Sequence, residues 1–274
     1  MKLSLCNEVL RDLPFDRQCA FAAAVGFQGL ELAPFTLAQN PETLTEAGAR
    51  AARRALAAEG LECAGLHWLL AAPDGLSITS ADAAVRGRTV DLMRRLVAFA
   101  AEAGARVMVH GSPRQRELAP GAEAEGRARA VDAFALAGEA AAAAGVVYAI
   151  EPLARRETAF VNTVAEAVAI VKEVASPGLA TMIDTCATAF DGGDPAALVA
   201  EWLPTGHIAH IHVNDPNRRG PGEGALAFAP TLAALKALDY RGWVSAEPFI
   251  YEPDGPATAA RAAGYLDGIL EALS

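Results

Sequence analysis

A chain of 274 residues, slightly over half of them apolar and with a net charge of −10, has the length for one large α/β barrel or for two small domains. Its negative balance repels nucleic acid and anionic membrane surfaces, so neither is an expected partner. Cys6, Cys19, Cys63 and Cys186 have no C-x-x-C spacing, which excludes a zinc finger or a disulfide framework and suits free thiols in a reducing cytosol.

The N-terminus, Met1-Lys2-Leu3-Ser4-Leu5-Cys6-Asn7-Glu8, turns polar too early for a signal peptide. The longest apolar run, Ala133 to Ile150, is interrupted by Glu139 and Gly145 and is too broken to span a membrane. A cytoplasmic protein is expected.

In chain order, β-rich apolar runs fall at 2–6, 28–32, 62–66, 106–110, 147–151, 179–184, 208–213 and 243–247. Longer segments of helical periodicity lie between them. In the third, Val85, Leu92, Leu96 and Phe99 share a face, and Gly104 closes the helix. The fifth opens on a capping box, Thr163-Val164-Ala165-Glu166. The sixth opens on Asp194-Pro195, an N-cap followed by proline at the first helical position. The last, Ala257 to Leu273, would close the fold. Apolar strands alternating with helices indicate a parallel sheet. Eight such units predict an α/β protein of (β/α)8 TIM-barrel form, one domain over 1–274, with an open eight-stranded sheet as the alternative. No G-x-G-x-x-G follows the first strand, where a dinucleotide would need it.

Barrel enzymes carry their chemistry at the C-terminal ends of the strands. Those ends here are Glu31, His67, His110, Glu151, Asp184, His212 and Glu247, and three of only five histidines fall among them. Carboxylates converging on one mouth would repel one another, and a divalent cation removes the conflict. Glu151, Asp184, His212 and Glu247 therefore form a candidate site for one divalent metal ion. Their oxygen and imidazole donors suit Mn²⁺, Mg²⁺ or Co²⁺ and are compatible with Zn²⁺. Pairing of the same acids with Arg114, Arg116, Arg155, Arg156, Arg218 and Arg219 in the loops is the alternative.

Five segments carry a family resemblance: Ile150-Glu151-Pro152, Ile183-Asp184-Thr185, Ala209-His210-Ile211-His212-Val213-Asn214-Asp215, Pro221-Gly222-Glu223-Gly224, and Gly242-Trp243-Val244-Ser245-Ala246-Glu247-Pro248-Phe249. Together they resemble the xylose-isomerase-like barrel superfamily, most closely its ketose 3-epimerases and hydroxypyruvate isomerase. The resemblance implies four metal ligands at Glu151, Asp184, His212 and Glu247. It also implies substrate contacts at Glu157, six residues past the first ligand, and at Arg218, six past the histidine. Where the family carries a histidine three residues after the aspartate, this chain has Ala187.

The implied reaction is isomerisation or epimerisation of a sugar or keto-sugar, by proton transfer next to a carbonyl that the metal polarises. Glu151 and Glu247, on strands five and eight, would remove the proton and return it to the opposite face. Ala187 keeps a lyase on the same scaffold as the alternative, either a keto-cyclitol or dehydroshikimate-type dehydratase or an enzyme deglycosylating 3-keto sugars. The related apurinic endonucleases need the histidine absent at 187 and an Asp-x-His pair where this chain has Asn217-Arg218-Arg219, so a three-metal nuclease site is incomplete.

His67 and His110 are expected to contact substrate hydroxyls, with ordinary barrel hydrogen bonding as the alternative. Trp68 opens a long connection to Ser80 that is either a lid or a packed loop. Pro221-Gly222-Glu223-Gly224 is expected to be a turn rather than a phosphate cradle, because Glu223 would repel phosphate. The sequence leaves a homo-oligomer open.

Overall fold

A computed structural model describes residues 1–274. The strands are β1 (Lys2–Cys6), β2 (Gly29–Leu32), β3 (Glu62–Leu66), β4 (Val107–His110), β5 (Val147–Ile150), β6 (Leu179–Asp184), β7 (Ile208–Val213) and β8 (Trp243–Ala246). They follow one another in chain order around a closed parallel barrel. The closing pair sets Lys2 against Trp243 and Leu5 against Ala246. The fold is the (β/α)8 barrel that the alternation of runs predicts.

The connecting helices are α1 (Phe15–Ala24), α2 (Pro34–Leu37), α3 (Glu46–Ala58), α4 (Ala83–Ala103), α5 (Glu123–Ala144), α6 (Val164–Val174), α7 (Thr185–Phe190), α8 (Pro195–Trp202), α9 (Ala229–Ala237) and α10 (Gly255–Ala272). Their ends follow the local chemistry of the chain. Thr163 and Glu166 form the reciprocal capping box of α6. Asp194 accepts the Ala196 N–H ahead of Pro195 at the start of α8. Gly104 ends α4 at φ +86°, a left-handed conformation that glycine adopts without a steric cost. On the predicted face of α4, Leu92, Leu96 and Phe99 are buried and Val85 is half-buried. No helix is long and apolar enough to cross a membrane.

Successive strand residues point to opposite faces of the sheet, and this alternation sorts the core. Val107, Val109, Ala149 and Met182 form a small cluster of their own, in alternate register with Met108, Tyr148, Ile150 and Ile183, which pack with the helices in the large outer core. Ligand-bearing positions share the inner set's parity: Glu151 is two residues past Ala149, and Asp184 two past Met182. The register slips by one residue between Leu30 and Glu31 against β3, and again between Thr181 and Met182 against β7. Such bulges re-aim the side chains that follow them. The extra residues are Ala64 of β3 and Ala209 of β7, so the re-aimed side chains are those that follow on these two strands, His212 among them.

Candidate active site

Four side chains meet at the C-terminal mouth of the barrel. Glu151 and Glu247 are the first residues past β5 and β8, and their backbones still extend the ladder, through Glu151 N–H to His110 O (3.2 Å) and Glu247 N–H to Val213 O (3.3 Å). Asp184 ends β6 opposite His212 of β7. One donor atom from each of the four lies within 4.8 Å of all the others, and all four residues are buried. His212 presents Nδ1 to the acids, 3.0 Å from Glu247 Oε2 and 3.9 Å from Glu151 Oε1.

The backbone around them is built to hold this spacing. Gly111 follows β4 beside Glu151, and a Cβ there would stand 1.9 Å from Glu151 Oε2, so only glycine leaves room for the carboxylate. Arg116 is fully buried and donates from its guanidinium to the Glu151 carbonyl at 2.8 Å. Asn214, also fully buried, accepts the Cys186 N–H at 3.2 Å and donates to the Glu247 carbonyl at 2.9 Å. It thereby clips the ends of β6, β7 and β8 together. Asp184 uses Oδ1 to cap α7 at the Ala187 N–H (2.6 Å), leaving its other oxygen for the centre.

Electrostatics show what the cluster lacks. At an effective interior dielectric near 20, two carboxylates 4.8 Å apart repel by roughly 3–4 kcal/mol. Burial, and then the charge of Glu247, push Asp184 up to about 7 and Glu151 well above the usual carboxylate range. Burial pulls the His212 imidazole down, but the charges of Glu247 and Glu31 outweigh it and raise it well above its ordinary value. The protein alone therefore answers three acids with protons and one imidazolium. A divalent cation would meet three carboxylates and one imidazole already gathered at coordinating spacing, and the donor set fits it without rearrangement of the fold.

A cavity of about 260 Å³ opens directly above this centre. Glu151 and Glu247 line it, as do Glu157, Arg114, Arg218, Trp68 and Phe249, whereas Asp184 and His212 do not. Arg218 sits at φ +69° with its guanidinium 5.1 Å from the centre of the Phe249 ring. Its carbonyl accepts the N–H groups of both Phe249 and Ile250, so loops seven and eight position it together. Trp68 lies between Phe35 and Phe249, with ring centroids 5.8 and 5.9 Å away, and donates from Nε1 to Glu247 Oε1 at 3.0 Å. The connection after it is packed: Leu69, Leu70 and Ile78 are buried, and Leu70 N–H bonds Ser112 Oγ.

Two histidines expected to touch substrate are placed elsewhere. His67 is fully buried, paired through Nε2 with Glu8 at 2.9 Å, and does not line the cavity. His110 falls on the outer face of the sheet, where Nδ1 bonds Tyr148 Oη at 2.7 Å and the ring meets Phe134 of α5 edge-on. Strand parity is the reason, since the inward position at that level belongs to Gly111. Burial and the Arg116 charge depress His110 to about 3, so it is neutral.

The arginines also divide. Arg116 is a buried brace rather than a rim residue, and Arg156 stacks on the Phe190 ring at 3.4 Å. Glu223 accepts the Gly220 N–H, consistent with a turn at 221–224. Glu31, Gly111 and Asn214 drew no functional assignment from sequence, and Arg116 only that of a loop partner for the acids. The available signals were Glu31 at a strand end, Asn214 two residues past His212, and Gly111 directly after an apolar strand that ends at the mouth.

Fold and mouth together define a barrel enzyme with its chemistry at the C-terminal strand ends. The chain belongs to the xylose isomerase-like TIM barrel family, whose profile matches residues 19–269. A probable ketose 3-epimerase of Synechocystis is 27% identical over 86% of this chain and 79% of its own length. An L-ribulose 3-epimerase of Mesorhizobium japonicum is 30% identical over 66% of this chain and 60% of its own. The crystal structure of a D-psicose 3-epimerase in the presence of D-fructose superposes with a TM-score of 0.83 at 22% identity, covering 100% of this chain and 99% of that one, a likeness of fold alone. These relatives place the protein among isomerase/epimerase enzymes.

Proposed function

We propose that the protein is a divalent-metal-dependent epimerase of free keto-sugars. The observation that carries this is the convergence of Glu151, Asp184, His212 and Glu247 beneath a cavity that only two of them line. The relatives' names supply the substrate class, and their reaction at a carbon next to a carbonyl is one that two opposed carboxylates can perform. A cavity of about 260 Å³ suits one sugar unit. With a divalent ion held by Glu151 and Glu247 the lining is no longer net negative, so the preference for a free keto-sugar over a phosphorylated one rests on the relatives' names.

Asp184, His212, Glu151 and Glu247 would hold the ion, and Glu151 and Glu247, which also line the cavity, would face the substrate. The bound ion would polarise the substrate carbonyl and its neighbouring hydroxyl, making the carbon-bound proton acidic. Glu151 and Glu247 approach from strands five and eight, so one takes the proton and the other delivers one to the opposite face. Trp68 holds the Glu247 carboxylate in place through Oε1. Trp68 and Phe249 wall the site against water, and Glu157 and Arg218 bind hydroxyls away from the reacting carbon. The free cysteines, all buried, suit a cytoplasmic setting. The relatives named above give the lyase alternative no support.

The test is incubation of enzyme loaded with Mn²⁺, Co²⁺ or Mg²⁺ with D-psicose, L-ribulose and further ketoses in D₂O. Epimeric product should form, with deuterium entering next to the carbonyl where the proton exchanges with solvent. Absence of both product and exchange across the panel, in protein of proven metal content, would remove the proposal.

A further inference from the structure

Glu31 is a fully buried acid that the proposed chemistry does not use. It lies inside the barrel on β2, opposite Gly65 of β3. An ionised carboxylate is acceptor-only, and two imidazoles approach this one. His210 Nε2 is 2.7 Å from Oε2, and His212 Nε2 is 3.2 Å from both oxygens. Ser245 Oγ, itself bonded to Ser4 Oγ at 2.6 Å, stands 3.2 Å from His210 Nε2. His67 Nδ1 lies further away, 3.9 Å from Oε1.

From this geometry we infer that Glu31 is a positioning residue for the metal centre: it holds His212 with its proton on Nε2, so that Nδ1 faces the ion with a free lone pair. The inference rests on the metal centre proposed above. His212 has two ring nitrogens and two sets of neighbours. Nδ1 faces Glu247 and Glu151, and Nε2 faces Glu31. A carboxylate behind a ligating imidazole fixes the tautomer and raises the basicity of the ligating nitrogen.

The same arrangement excludes a competing use of these residues. Cys6, Glu31 and His212 also approach one another within 4.8 Å and could be taken for a second three-ligand metal site. That site would need Nε2 deprotonated, while the four-residue site needs Nδ1, and one neutral imidazole cannot serve both. His210 completes the clamp, because its donation to Oε2 prevents Glu31 from rotating away from His212.

Two measurements test the assignment. In the Glu31→Gln variant a neutral amide replaces the anion and one of the two oxygens facing His212 Nε2 becomes an NH₂ donor, so the charge that raises the basicity of Nδ1 is lost. Mn²⁺ affinity, read by paramagnetic resonance titration, should fall about 10–100-fold, with one ion per chain still bound at saturation. Unchanged affinity would overturn the inference and leave the proposed epimerase standing, and so would loss of a second ion with the first unaffected.

Because Glu31→Gln could fail to fold, the second measurement uses the wild-type chain loaded with Zn²⁺. Nitrogen-15 histidine spectra should show a ring protonated at Nε2 and zinc-shifted at Nδ1, assigned to His212 by its loss in His212→Gln. Zinc on Nε2 would overturn the inference. A wild-type chain that takes up neither ion would overturn both this inference and the metal-dependent function.

Discussion

The mouth of the barrel has two halves that sequence makes look alike. On β3 and β4 the strand ends offer His67 and His110, and on β5 to β8 they offer Glu151, Asp184, His212 and Glu247. In the first half each histidine has one protein partner, His67 through Nε2 with Glu8 and His110 through Nδ1 with Tyr148, and no like charges converge on it. In the second, three carboxylates converge on one imidazole and remain short of positive charge. What separates structural from functional polar residues here is not position at a strand end. It is whether the fold supplies enough partners of the right sign.

The largest effects should come from breaking the second half. Glu151→Gln and Glu247→Gln should each lower kcat by ~10²–10⁴-fold, the usual contribution of a general acid or base. Turnover is measured at saturating metal, with metal content checked in each variant. Near-wild-type turnover in either loaded variant would exclude that residue as a proton carrier.

Next in size is the ion itself. Binding to the native state at a concentration about 1,000 times Kd stabilises by about 4 kcal/mol. Chelation should accordingly lower Tm by roughly ten degrees. Asp184→Asn and His212→Ala should each largely erase the difference between chelated and loaded protein. A full-sized chelator effect in these variants would place the ion elsewhere.

Arg218→Ala should raise KM about 10–100-fold with a smaller loss in kcat, as expected for a charge-assisted hydrogen bond of about 1.5–3 kcal/mol made mainly to the bound ground state. Steady-state kinetics on a confirmed substrate decide this. Unchanged constants would remove Arg218 from the site.

The chelated protein should also show the charge deficit through pH. Asp184, pushed up to about 7, and Glu151, raised as well, bind protons more tightly when folded than when unfolded. Their contribution to stability is fully present below the unfolded carboxylate range near pH 4 and is lost as pH rises through about 7. Metal-free protein should therefore have a lower denaturation midpoint at pH 8 than at pH 5.5, with loaded protein showing less of this decline. The opposite slope in metal-free protein would mean that these acids are already neutralised.

The smallest effect should come from the first half. His110→Phe leaves the buried Tyr148 hydroxyl unpaired and removes no cavity contact, so stability should drop by about 1–3 kcal/mol while kcat stays within about threefold. A hundredfold fall in kcat in a well-folded variant would return His110 to the site.

Much of this was legible because it depends on local rules. Eight β-rich runs, the Thr163–Glu166 capping box and Gly104 are set by short-range chemistry, and the barrel follows from them. The four acidic and imidazole positions stood out because unpaired charge at the end of an apolar run is costly anywhere. What was not legible depends on parity and on distant partners. Ending β4 at His110 placed that residue in the mouth, yet the alternation turns it outward and gives the inward position to Gly111. Arg116 read as a loop partner for the carboxylates, but the loop folds it under the Glu151 carbonyl. The Glu8–His67 contact joins residues 59 positions apart, and no local pattern announces it.

The account stands on one ion held by Glu151, Asp184, His212 and Glu247, and elemental analysis tests that directly. Protein equilibrated with Mn²⁺, Co²⁺, Mg²⁺ or Zn²⁺ and then freed of excess should hold one divalent ion per chain, falling to background in an Asp184→Asn, His212→Ala double variant that retains its fold. Full occupancy in the double variant, or no bound ion in the wild-type chain with any of the four metals, would contradict it.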